Sequence, residues 1–174
     1  MGLDRKRFWA LIEKARRGEE GLSELLAPLS LDDLVAFGHC YRSLFNLAAT
    51  TDVWGAAYLI EGGCSDDCFI DFRYWLIAQG RKVYEATVRN PDSLADVLDG
   101  DEIDDAGVYD CSDDHWMERT GRTREEFQRE VRRLGPLPRE PLGKHWNYDD
   151  DDEVRRRFPR LSRLYLDGEG PDGK

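Results

Sequence analysis

The stretch Ser30-Leu31-Asp32-Asp33-Leu34-Val35-Ala36-Phe37-Gly38-His39-Cys40-Tyr41-Arg42-Ser43-Leu44-Phe45-Asn46-Leu47-Ala48 decides the fold. Leu34, Phe37, Tyr41, Leu44, Phe45 and Ala48 recur at steps of three and four, so they share one face of a helix. Ser30 precedes the run and Asp33 follows it by three positions, a hydroxyl cap with a carboxylate in the first turn. So strong an apolar face predicts a helix at the centre of a helical core.

The same periodicity extends outward. Phe8, Leu11, Ile12 and Ala15 predict a first helix over Asp4 to Arg17, and Leu22, Leu25, Leu26 and Leu29 a short second one that Pro28 limits. Downstream, Asp52 is expected to cap a short apolar helix carrying Trp54, Ala57, Tyr58, Leu59 and Ile60, which Gly62-Gly63 ends. Ser65 caps a helix that opens Asp66-Asp67-Cys68 and carries Phe69, Phe72, Trp75 and Leu76. Arg81 to Arg89 holds Val83, Tyr84, Thr87 and Val88 and stops before Asn90-Pro91, with Asp92-Ser93-Leu94 starting one more turn. Thr123 and Glu126 form a capping box ahead of Phe127, Val131 and Leu134, and Leu137 to Gly143, with two prolines, reads as extended. A last helix begins near Asp149, carries Val154, Phe158, Leu161, Leu164 and Tyr165, and breaks at Pro159. No alternating run points to a strand. The expected fold is all-α, a compact orthogonal bundle of short helices forming one domain over residues 1–174, with 168–174 as a flexible tail.

The charge is segregated. The 174 residues carry 25 Lys and Arg against 36 Asp and Glu, a net charge of −11. From Asn90 to Glu118 there are eleven acidic residues and no Lys or Arg, so the rest of the chain is neutral, with 25 of each sign. Residues 99–114 have little helical period and read as an acidic loop excursion. Arginines follow acids at 119–133 and 155–163, an order that suits the helix dipole. The acidic balance disfavours nucleic acid and anionic membrane surfaces, and no apolar run approaches the roughly 20 residues of a membrane span. Met1 to Arg17 lacks the pattern of a signal peptide, which places the chain in the cytoplasm with its four cysteines as thiols.

The densest unusual stretch runs from Trp54 to Leu76: Trp54-Gly55-Ala56-Ala57-Tyr58-Leu59-Ile60-Glu61-Gly62-Gly63-Cys64-Ser65-Asp66-Asp67-Cys68-Phe69-Ile70-Asp71-Phe72-Arg73-Tyr74-Trp75-Leu76. With Gln79-Gly80-Arg81 and Asn90-Pro91-Asp92-Ser93-Leu94 it resembles the bacterial, mainly actinobacterial, family known as domain of unknown function 4240; Phe8-Trp9 and Phe158-Pro159-Arg160-Leu161 are similar too. The resemblance implies a cytosolic bacterial protein and no particular reaction. The family's motif falls on Gly62, Gly63, Ser65, Asp66, Asp67, Phe69, Phe72, Arg73 and Trp75, without roles.

Two readings compete for this stretch. In the first, Gly-Gly makes a tight turn and Ser65, Asp66 and Asp67 satisfy the start of a helix. In the second, Asp66, Asp67 and Asp71 offer oxygen ligands to Mg²⁺ or Ca²⁺ or a general base, with Trp54, Tyr58, Ser65, Arg73 and Trp75 completing a ligand or catalytic cluster. The spacing fits no EF-hand, and the scattered Cys40, Cys111, His39, His115 and His145 form no zinc pattern, so no metal and no cofactor is expected. Arg73 and Arg81 are expected to pair with Asp66, Asp67 or Asp71, and Cys111 with His115 is a weak thiol and base pair at i and i+4. Function then divides between an interaction or regulatory domain, a monomer or weak homodimer whose acidic segment meets a basic protein partner, and a small-molecule or metal-dependent enzyme sited around Ser65–Arg73.

Overall fold

Helix α3 (Leu31–Leu47) is the axis of the molecule. Its Leu34, Phe37, Tyr41 and Leu44 are buried, and α1 (Arg5–Arg16), α5 (Asp66–Ala78), α7 (Ser112–Thr120) and α8 (Arg124–Arg133) pack against it. The computed structural model describes residues 2–18, 20–98 and 109–168; among the described residues there are ten α-helices, one 3-10 turn and no strand. The remaining elements are α2 (Leu22–Leu26), α4 (Thr51–Ile60), α6 (Arg81–Arg89), the turn Pro91–Asp96, α9 (Asp151–Arg157) and α10 (Pro159–Tyr165). The protein is all-α, as the periodicity predicts.

Most helices start where a short oxygen-bearing side chain can receive an unpaired N–H of the first turn. Asp4, Ser30, Ser65, Thr123 and Asp150 accept from the amides of Arg7, Asp33, Cys68, Glu126 and Glu153. The α4 cap is Thr50, not Asp52: the Thr50 hydroxyl accepts from the Val53 amide at 3.1 Å. Asp52 instead lies in the first turn, where its carboxylate accepts from Trp146 Nε1 at 3.0 Å and pairs with Arg157 at 2.7 Å.

Aromatic contacts tie the bundle together. Phe8 meets Phe37 with ring centroids 4.7 Å apart, and Trp9 meets Tyr84 at 5.4 Å, which seats α1 on α3 and α6. The Tyr84 hydroxyl donates to the Leu44 carbonyl at 2.6 Å. At Gly38 a Cβ would stand 2.9 Å from Phe127 Cζ and 3.0 Å from Ser112 Oγ, so a bare backbone is what lets α7 and α8 close on α3.

The acidic excursion is shorter than its composition implies. Residues 99–108 lie outside the described residues, as do 169–174 of the tail, but Ser112 already opens α7, and Ser112 and Asp113 are buried. The motif Asn90-Pro91-Asp92 is a double cap: Asn90 accepts from the Asp92 amide, and the Asp92 carboxylate, 4% exposed, accepts from the amides of Arg160 and Leu161 at 2.9 and 3.0 Å. It thereby closes the start of α10, which has no cap of its own.

Candidate functional site

The Gly-Gly turn has the predicted backbone, with Gly62 and Gly63 at φ +64° and +125°, a region closed to most side chains. Ser65, Asp66, Asp67 and Asp71 are exposed to solvent around the start of α5. Cys64 and Cys68 are joined as a disulfide, which corrects the expectation of free thiols there; Cys40 and Cys111 are free. Trp54 stacks on Phe69 at 4.7 Å with the rings 9° apart, and its Nε1 donates to the Cys64 carbonyl at 3.0 Å. Tyr58 donates to Asp149 at 2.8 Å, and Trp75 is buried in the core.

Arg73 points away from these carboxylates. It is 6% exposed, its guanidinium lying 3.8 Å over the Phe45 ring and 4.8 Å from that of Phe69. Its partner is Glu140, at 2.7 Å, in the extended segment after α8, and Arg81 pairs with Glu85; neither meets Asp66, Asp67 or Asp71. The Arg73–Glu140 pair is one of a row of ties. Asn46 Nδ2 donates to the Pro138 carbonyl at 2.9 Å, the Thr51 amide donates to the Leu142 carbonyl at 2.6 Å, and Tyr148 donates to the Thr51 carbonyl at 3.2 Å. Residues 137–148 are thus a strap bound across α3, α4 and α5.

The concave site lies elsewhere. A cleft of about 530 Å³ opens between α3, α5, α7 and α8, lined in part by Tyr41, Arg42, Tyr74, Asp110, Arg124 and Gln128. Asp110 accepts from both the amide and the hydroxyl of Ser112, at 3.0 and 2.6 Å. Burial nonetheless pushes its carboxyl above the ordinary range, since those two bonds do not replace the lost water. Burial, with Asp110 nearby, also raises the hydroxyls of Tyr41 and Tyr74. Arg124 is already held, 3.0 Å from each of Asp113 and Asp114. Arg42 is different: it is half-buried with its guanidinium 5.9 Å from the Phe127 ring centroid, and no carboxylate among the described residues lies within ion-pairing distance of it.

These lining residues come from α3, α5 and α8 and from the segment before α7, so no local spacing marks them. Tyr74 is readable in sequence only as core, and Arg42 only as the polar side of α3. Cys111 and His115 do stand near each other, but His115 Nε2 shares a hydrogen bond of 2.9 Å with Ser23, and burial holds the Cys111 thiol up at about 11, far from a ready thiolate. Among the described residues no three His, Cys, Asp or Glu side chains converge as a metal site requires.

Among the described residues the fold is all-α and carries a polar cleft. The chain matches the model of a family described as "Protein of unknown function (DUF4240)" over residues 3–118, and it belongs to that family. The matched region contains α1 to α6 and all but the last two residues of α7, and hence most of the cleft, whereas Arg124, Gln128 and the strap lie beyond it. No curated protein and no solved structure matches the chain.

Proposed function

We propose that this is a binding domain whose cleft between α3, α5, α7 and α8 takes a small polar molecule bearing an acidic group. The observation that carries the reading is Arg42, a half-buried guanidinium lining the cleft without a carboxylate partner among the described residues. A guanidinium keeps its charge at any biological pH and presents a fork of donors suited to a carboxylate or phosphate. Asp110, Gln128 and Tyr74 supply hydrogen-bonding groups on the other walls. Titration calorimetry with succinate, L-glutamate and inorganic phosphate tests it. At least one probe should bind, and Arg42→Gln should weaken it tenfold or more, a loss of about 1.4 kcal/mol. Heat with none of the three, or equal affinity in the variant, removes the reading.

A second reading keeps the acidic run as a docking element for a basic protein. Of its six described acids, five, Asp92, Asp96, Asp110, Asp113 and Asp114, already bond within the chain, so this reading assigns the charge reserve to Asp99 to Asp105, outside the described residues. Val97 and Tyr109, 48% and 43% exposed, stand at the two borders of that reserve. Converting Asp99, Asp101, Glu102, Asp104 and Asp105 to amides tests this without cutting into α7. A basic partner whose affinity and salt dependence stay unchanged would exclude the run as its contact.

A further inference from the structure

We infer that Cys64 and Cys68 are a thiol–disulfide exchange site open to low-molecular-weight thiols of the glutathione class. The inference is independent of the cleft and rests on two observations around the Gly-Gly turn.

The turn is held without the bridge. Ser65 accepts from the Cys68 amide at 3.3 Å, the Gly63 amide donates to the Tyr58 carbonyl at 2.8 Å, and Trp54 both stacks on Phe69 and donates to the Cys64 carbonyl. The bridge itself closes a loop only four positions long, so it restricts the unfolded chain little. A cross-link that the backbone geometry does not require can open while the fold persists.

The two sulfurs are unequal. Cys64 is 8% exposed against the core, whereas Cys68 is half-buried in the first turn of α5, beside exposed Ser65, Asp66 and Asp67. A thiolate arriving from solvent therefore reaches Cys68 first. The position also favours Cys68 as the nucleophile in the reverse direction, because the positive end of the dipole of the 13-residue helix α5 stabilises a thiolate.

The step balances as ordinary exchange. The glutathione thiolate attacks Cys68 Sγ; a new S–S bond forms as the Cys64–Cys68 bond breaks, and Cys64 leaves as a thiolate that takes a proton from water. A second glutathione thiolate attacks the glutathione sulfur of this mixed disulfide, releasing glutathione disulfide and the Cys68 thiolate. Two electrons pass to the protein, and excess glutathione disulfide drives the reverse. Asp66 and Asp67 repel an anionic thiol, so added salt should speed the first step.

The test uses the full-length wild-type chain in buffers running from excess glutathione to excess glutathione disulfide, quenched by acid, alkylated and mapped by peptide mass spectrometry. The expected result is reversible gain and loss of two alkylation sites, Cys64 and Cys68, across that range, with helical circular dichroism unchanged. In Cys64→Ser one glutathione should remain on Cys68, and in Cys68→Ser attachment to Cys64 should be at least tenfold slower. A bridge that opens only after unfolding, or with dithiothreitol but never with glutathione, overturns the inference. So does a pair that stays reduced in excess glutathione disulfide, or a Cys64 that reacts as fast as Cys68.

Discussion

A methyl group on Gly55 would lie 2.9 Å from Cη2 of Trp146 and nearer still to Cζ2. The indole cannot swing aside cheaply, because Nε1 is bonded to Asp52, the Arg157 guanidinium covers the ring at 4.7 Å, and Phe158 packs against it at 5.8 Å. Two effects of opposite sign therefore meet in Gly55→Ala. Alanine favours the interior of α4 by about 1 kcal/mol over glycine, whereas overpacking a fixed contact costs typically about 1 to 3 kcal/mol. A displaced Trp146 would also forfeit its bond to Asp52, so the loss should win. The variant is expected to melt several degrees below the wild type, at about 2 to 4 °C per kcal/mol for a chain of this size. In a Trp146→Ala background the same change should become neutral or stabilising, since only the propensity gain survives. A melting temperature that falls equally in both backgrounds would show that the indole is not what Gly55 accommodates.

At the level of elements, the strap over 137–148 depends on anchors that sit on helices remote in sequence. Arg73, buried between Phe45 and Phe69, is its principal charged anchor, while Glu140 is 42% exposed. The two ends of this pair are therefore unequal. Glu140→Gln removes a partly screened interaction and should cost at most about 1 kcal/mol. Arg73→Met keeps a long side chain but loses the ion pair and both cation–π contacts, and it should release the strap. Trypsin should then cut native protein after Arg139 at least tenfold faster than in the wild type, with Glu140→Gln close to wild type. Equal resistance in all three would mean that Asn46, Thr51 and Tyr148 hold the strap alone. The turn at Pro91–Asp96 plays a matching part for α10. Asp92→Ala would leave the buried amide of Leu161 without an acceptor, at roughly 1 to 3 kcal/mol, and would unpair the part-buried amide of Arg160 as well; a loss of stability no larger than that of an exposed cap would count against it. These anchors also mark the limit of what the sequence reveals. Ser30, Ser65 and Thr123 are legible as caps because donor and acceptor are three residues apart, and α3 because its period is long and regular. Glu140 is 67 positions from Arg73, and Arg42, Tyr74, Asp110 and Gln128 meet only when α3, α5, α7 and α8 assemble. Helix α7 is hidden for a different reason: its nine residues begin inside the acidic run, and of its buried side chains, Ser112, Asp113 and Trp116, only Trp116 is apolar.

For the molecule as a whole, the net charge of −11 is a poor guide to the surface, because the fold consumes much of the acidic run internally. Asp92 closes α10, Asp96 pairs with Arg160, and Asp113 and Asp114 hold Arg124 between α7 and α8. Asp110 is the member whose burial is costly, because desolvation outweighs the bonds from Ser112 and the attraction of Arg42. Its proton is therefore held more tightly in the folded protein than in the unfolded chain, where an aspartate titrates at about 3.9. By linkage, the stability tied to that proton is fully present below the unfolded value and is lost as pH rises through the raised folded one. An asparagine at 110 keeps an oxygen to accept from Ser112 and never ionises, so it escapes this loss. The melting temperature of Asp110→Asn minus that of the wild type should thus increase from pH 4 to pH 7 and level off once the wild-type carboxyl is ionised. Arg42→Gln should steepen the wild-type decline, because it removes a cation that favours the ionised form. A difference that stays flat across this range would mean that water reaches Asp110 freely. The cleft would then have to be regarded as a solvated groove whose polar walls hold no unspent electrostatic energy for a ligand.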